Sequence, residues 1–162
     1  MTTFTVWKFK DADGAHRAET TLETAAGEGL VTLVDHAVLA WPAGADKPEL
    51  HHKHDSQRRG AAWGAFWGVL GGALFAIPIA GAAIGLGIGA LAKASEGTGI
   101  SKDDLERIRS EITPGTSALF LVTENANLDR LGERFRGHDS KLISTNLTEA
   151  ERDTLLETFG GG

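Results

Sequence analysis

The chain has 162 residues and a formal net charge of −6 at pH 7, which fits one folded domain and gives no basic field for nucleic acid. It contains no cysteine, which excludes disulfide bonds, thiolate metal sites and thiol catalysis. The first residues lack the basic start and the long apolar run of a signal peptide, so we expect this end of the chain to stay in the cytoplasm.

The first 59 residues predict two strands around a helix, followed by a hairpin to a short edge strand. Clusters of β-branched and aromatic residues favour the strands, and apolar residues at every third or fourth position favour the helix. Prolines and a glycine between the last two strands indicate the hairpin turn. The predicted elements are a strand over 4–9, a helix over 15–27, a strand over 30–41 and an edge strand over 49–54.

The segment 60–92 has no charged side chain, and it carries glycine at every fourth position on both sides of Pro78. Proline interrupts a helical backbone, so we predict two helical arms, 60–77 and 79–92, that form a hairpin. Glycines at this spacing leave a flat stripe along which helices pack closely. The glycines predicted to pack between copies of the chain are Gly60, Gly64, Gly68, Gly72, Gly81, Gly85 and Gly89.

Residues 93–162 repeat the alternation of strands and helices. The predicted elements are a helix over 101–112, a strand over 117–123, a helix over 127–137, a strand over 141–147 and a last helix from about residue 148. With the first half, this order predicts an α+β fold, a ferredoxin-like split βαβ sandwich interrupted by a glycine-zipper helical hairpin. Residues 1–59 and 93–162 would then be two halves of one domain, with the sheet covered by helices on one face.

Three stretches carry a resemblance to a known bacterial family: residues 33–38, the glycine segment, and residues 114–120. On these residues the chain resembles domain-of-unknown-function family 1269 over nearly its whole length. The family usually has a small residue where this chain has His36. The resemblance implies association with a membrane. It implies no catalytic residue, because the family has no assigned activity.

Three interpretations of the segment 60–92 remain open. A single transmembrane helix of this length would measure about 50 Å against about 30 Å of hydrocarbon, and it would place two halves of one sheet on opposite sides of the membrane. A hairpin inserted in the membrane returns both ends to one side, and we favour it. The third interpretation buries the hairpin between the subunits of a soluble assembly.

Aromatic and basic residues near the start of the first arm predict contact with lipid or with a partner. Indole rings favour the membrane interface, and positive charges are typical of cytoplasmic flanks. A free monomer that exposed such an aromatic face to water would aggregate. The residues predicted to make these contacts are Trp63, Phe66, Trp67, Arg58 and Arg59.

Histidines on the edge strand are candidate metal ligands. The cluster comprises His51, His52 and His54, with His36 and Asp55 as further candidates. A zinc site needs three or four ligands, and the sequence has no second histidine or cysteine cluster to complete one. We therefore predict no metal site, and whether the three edge-strand histidines bind a metal stays open.

No motif in the chain predicts a reaction. Gly85 to Gly89 superficially resembles a dinucleotide fingerprint, but the strand that should precede it is missing. Asp35 and His36 are neighbours in a strand and point to opposite faces, and Ser117 lacks the frame of a nucleophile elbow. We predict a non-enzymatic, homo-oligomeric protein of the cytoplasmic membrane, with lipid as partner and without a cofactor. The alternative is a soluble self-assembling or apolar-ligand-binding protein.

Overall fold

The computed structural model describes residues 2–53, 67, 102–124, 127–135 and 139–148. Its elements in chain order are β1 (Thr2–Phe9), α1 (Gly14–Gly27), β2 (Thr32–Ala40), β3 (Glu49–Lys53), α2 (Lys102–Glu111), β4 (Ser117–Glu124), α3 (Leu128–Arg134) and β5 (Asp139–Leu147). Each of them was predicted from the sequence, with ends that differ by about three residues at most. The glycine segment apart from Trp67, and the predicted last helix, lie outside the described residues.

The described strands form one antiparallel sheet in the order β3-β2-β4-β1-β5. The α+β class is therefore confirmed, and β3 pairs with β2 as the predicted edge hairpin. β4, which follows the glycine segment in the chain, lies between β2 and β1, which precede it. The parts of the chain before and after the segment thus contribute strands to the same sheet.

One face of the sheet is covered by α1 and α3. The stripe that the sequence predicted on α1 is buried, and its residues are small enough to let the helix lie close to the strands. Gly14 makes the closest approach, because a Cβ atom at this position would lie 2.5 Å from Cβ of Phe9. The core on this face consists of Trp7, Phe9, Ala15, Ala18, Leu22, Ala25, Val31, Val38, Leu119, Leu121, Leu131 and Phe135.

The opposite face of the sheet is buried as well. Its central side chains include Phe4, Val6, Phe120 and Val122, each at most 1 % exposed. Trp67 packs on this face, and an ion pair from Lys8 to Glu111 ties α2 to the same side of β1. The expectation of helices on one face therefore describes α1 and α3 but leaves out this second core.

The loops that precede α1 and β4 are joined by hydrogen bonds to Ser117. Its hydroxyl donates to the backbone carbonyl of Asp11 at 2.7 Å and accepts the backbone N–H of Ala15 at 2.9 Å. Gly115 has a φ of +87°, which favours glycine, and its N–H donates to the carbonyl of Trp41. The two hydrogen bonds of Ser117 fix the start of α1 against the sheet, and they give this residue a structural role.

Across the described stretches of the chain, no helix combines the length and the apolar character that crossing a membrane requires.

Candidate functional site

Most of the residues singled out from the sequence lie outside the described part of the chain. These are the seven packing glycines, Trp63, Phe66, Arg58, Arg59, His54 and Asp55. Their assigned contacts stay predictions. Trp67 is the member of the predicted contact set whose position is described.

Trp67 lies in the core, on the face of the sheet opposite α1. Its side chain is 1 % exposed, and its ring centroid lies 6.0 Å from those of Phe4 and Phe120. Its indole N–H donates to Oδ2 of Asp35 at 3.4 Å. In this position almost none of the ring is available for contact with lipid or with a partner, so we assign Trp67 to the core of its own chain.

Asp35 supplies the polar group that the buried indole needs. The residue is 5 % exposed, and its Oδ1 accepts the backbone N–H of His36 at 2.8 Å. The pairing of β2 with β4 shifts register between Leu33 and Asp35. Such irregularities in a strand redirect side chains, and this one lies directly beside the carboxyl group that holds Trp67.

His36, the next residue, points to the other face, as expected for neighbours in a strand. Its Nε2 lies 2.8 Å from Oε2 of Glu19 on α1, and the two side chains are 7 % and 23 % exposed. Glu23 follows Glu19 by one helical turn on α1. One ligand atom from each of Glu19, Glu23 and His36 lies within 4.8 Å of the others.

A cavity of about 440 Å³ opens beside this cluster. Glu23 and His36 contribute to its wall, and the other lining residues are Ala26, Gly29, Val31, Thr32 and Leu33. The cavity connects the nearly buried imidazole of His36 and the carboxyl group of Glu23 with solvent. We refer to Glu19, Glu23 and His36 as the α1–β2 cluster.

The α1–β2 cluster was missed by sequence reasoning. Neither glutamate was singled out from the sequence, and His36 was grouped with the edge-strand histidines. The available signal was the spacing of Glu19 and Glu23, which places them on one side of the helix. Which side that is depends on how α1 lies over β2, and the sequence pattern does not specify it.

The histidines of the edge strand are arranged differently from His36. In the pairing of β2 with β3, His51 lies opposite Val38, and His52 opposite Ala37. The side chain of His51 is 55 % exposed; its Nε2 lies 3.5 Å from Oε2 of Glu49, and its ring centroid 5.4 Å from that of His16. Within the described residues, the three ligand groups that converge are those of the α1–β2 cluster, and His51 is not among them.

A second cavity, of about 630 Å³, lies at the start of α1 and is partly lined by Asp11, Arg17 and Arg134. Arg17 contacts Asp11 at 2.7 Å, and Arg134 contacts Glu28 at 2.8 Å. The hydrogen bond from the Arg17 guanidinium lowers the pKa of the Asp11 carboxyl below its ordinary value of 3.8. Both arginines are thus paired with carboxylates, which weakens the case for an anion site here.

Comparison with known proteins identifies a family. The family described as "Protein of unknown function (DUF1269)" matches residues 61–160. No curated protein and no solved structure matches the chain.

Proposed function

The chain belongs to the DUF1269 family, whose function is unknown, and we propose that it is a non-enzymatic protein that assembles with its own copies at the cytoplasmic membrane. The glycine segment 60–92 would insert and pack, and the α/β domain would face the cytoplasm. The observation that carries the proposal is the position of β4 between β1 and β2. Strands from both sides of the segment share one sheet, so both ends of the segment start from the same side of a bilayer.

The strand order also supports a more detailed fold assignment. Without the edge strand β3, the order is β2-β4-β1-β5. In each unit of strand, helix and strand, the two strands are separated by a strand of the other unit, which is the split βαβ arrangement of ferredoxin-like domains. We therefore propose a ferredoxin-like domain with a glycine-zipper hairpin inserted between its two halves.

The burial of Trp67 limits how much of the segment is available for insertion. With residue 67 held on the sheet, the arms would run over 68–77 and 79–92, or roughly 15 Å and 21 Å as helices. Both are shorter than the roughly 30 Å of a hydrocarbon core. The proposal is therefore a hairpin that enters one leaflet and pairs with other hairpins along its glycines.

A second candidate is a soluble assembly, or a protein that binds an apolar ligand, with the hairpin buried between subunits. Trp67 favours it, because the residue is 1 % exposed and packs against Phe4, Phe120 and Asp35 of its own chain. Because residue 67 packs on protein, the residues that follow it in the segment could pack on protein too, against a second copy of the chain. The two candidates share the assembly and differ in whether lipid takes part.

The test is to fractionate cells that express the full chain and to measure particle mass with and without detergent. The membrane proposal expects protein in the membrane fraction that detergent releases as an oligomer. Protein that stays in the supernatant as an oligomer without detergent would support the second candidate instead.

Glycine substitutions test the packing role. Gly85→Leu should reduce the oligomer to smaller species, because leucine separates the helix backbones. Gly27→Leu is the matched control, since a Cβ atom at Gly27 meets nothing within 4 Å. An oligomer that is unchanged in Gly85→Leu would contradict both candidates.

A further inference from the structure

We propose that Glu19, Glu23 and His36 bind one divalent transition-metal ion, with Zn²⁺ as the reference ion, between α1 and β2. This site is independent of membrane association and of assembly. It uses the described residues alone.

The spacing of the donor atoms suits a single ion. A ring nitrogen of His36 and a carboxylate oxygen from each glutamate already lie within 4.8 Å of one another. Ligands at about 2.0–2.1 Å from a tetrahedral zinc ion are separated by about 3.3 Å. Shifts of about 1 Å in the glutamate side chains would therefore complete the coordination.

The elements that carry the ligands are held in place. α1 is fixed to the sheet by Ala18, Leu22 and Ala25, which are buried. β2 is an inner strand, paired on one side with β3 and on the other with β4. His36 itself is nearly buried. Sites on packed helices and strands keep their geometry better than sites on loops.

The charges of the α1–β2 cluster favour a cation. Two carboxylates one turn apart on a helix repel each other, and Glu19 is further removed from water by burial. A divalent ion would neutralise both carboxylates, while the neutral imidazole adds a nitrogen ligand. In the metal-free protein, His36 and Glu19 contact each other directly, at 2.8 Å.

The donor set also selects the class of ion. One imidazole nitrogen with carboxylate oxygens suits zinc and other transition metals, whereas Mg²⁺ and Ca²⁺ prefer sites made only of oxygen. Three protein ligands leave one position for water. The cavity of about 440 Å³ lined by Glu23 and His36 gives that water access.

The experiment is calorimetric titration of the chelator-treated, tag-free full chain with ZnCl₂, with the metal content measured after dialysis. We expect one ion per chain and no displacement by an equal concentration of Mg²⁺. Glu23→Gln and His36→Gln should each weaken binding at least tenfold. Glu23 is exposed, so Glu23→Gln tests the proposal even if His36→Gln folds poorly.

The matched controls are His51→Gln and Glu106→Gln, which alter exposed residues of the same types on β3 and α2. Both should bind zinc as the unaltered chain does. The proposal is overturned if the unaltered chain binds no zinc at submillimolar concentration. It is equally overturned if binding survives Glu23→Gln, or is lost in His51→Gln, since either result places the ion elsewhere.

Discussion

Asp35 and His36 are neighbours in β2, yet the two faces to which they point are different environments. On one face, Asp35 meets the indole of Trp67 inside an aromatic core that excludes water. On the other, His36 meets Glu19 beside a cavity open to solvent. One strand therefore separates a polar contact buried in the core, between Asp35 and Trp67, from a polar contact beside solvent, between His36 and Glu19.

Breaking the aromatic face should have the largest effect. Trp67→Ala removes a ring that is 1 % exposed and leaves a cavity between Phe4 and Phe120. We expect the free energy of unfolding to fall by roughly 3–5 kcal/mol. Urea denaturation measures the change, with the variant and the unaltered chain in the same buffer or detergent. Trp67→Phe keeps most of the packing and should lose much less. Equal stability of Trp67→Ala and the unaltered chain would show that the ring is not part of the core.

Removing the carboxyl group of Asp35 should have an intermediate effect. Asp35→Ala leaves the indole N–H of Trp67 and the backbone N–H of His36 without this acceptor. A buried donor without a partner costs about 1–3 kcal/mol, and the same denaturation experiment measures the loss. Asp35→Asn retains a side-chain oxygen and should be milder. A larger loss for asparagine than for alanine would contradict the acceptor role.

The helix-facing side should tolerate the corresponding change better. In the metal-free protein, His36→Gln should cost about 1 kcal/mol or less, because glutamine can still donate to Glu19, and Glu19 is partly exposed to water. Thermal unfolding of the chelator-treated protein measures this. A loss of stability as large as that of Asp35→Ala would show that the polar contacts on the two faces of β2 contribute equally to the stability of the fold.

The smallest effect is expected at the surface, where Arg17 contacts Asp11. The guanidinium lowers the pKa of the Asp11 carboxyl, so the pair stabilises the fold above that carboxyl's ordinary pKa of 3.8 and loses its effect as pH falls through the lowered value. Arg17→Gln should bring the pKa back toward 3.8 and change stability at pH 7 by less than about 0.5 kcal/mol. NMR titration of the Asp11 carboxyl carbon measures the pKa, and an unchanged value would exclude Arg17 as its cause.

The elements of the sheet domain could be predicted because their periodicity is local. Clusters of β-branched, aromatic and other apolar residues mark β1 and β2, and the spacing of Ala18, Leu22 and Ala25 marks the buried side of α1. The class of fold then followed from the order of elements. The edge hairpin followed from the prolines and the glycine between β2 and β3.

The candidate sites depend on contacts between residues far apart in the chain, and the periodicity of the sequence does not predict those contacts. Trp67 was interpreted as an interfacial residue because indole rings favour that environment, but a tryptophan at a membrane surface and one in a core look alike in sequence. His36 and Glu19 are 17 positions apart, and they meet only because α1 crosses β2 at that point. The opposite orientation of Asp35 and His36 was predicted, since it follows from strand geometry alone.

The central claim is that the parts of the chain before and after the glycine segment form one sheet while the segment packs with other copies at the membrane. Thr32 of β2 pairs with Glu124 of β4, and the chain contains no cysteine, so Thr32→Cys with Glu124→Cys gives a single pair to cross-link. Mild oxidation or a short bis-alkylating reagent applied to the membrane fraction should join the two positions within one chain, as seen by mass after proteolysis. Cross-links only between chains, or none, with both cysteines accessible to alkylation, would contradict the claim.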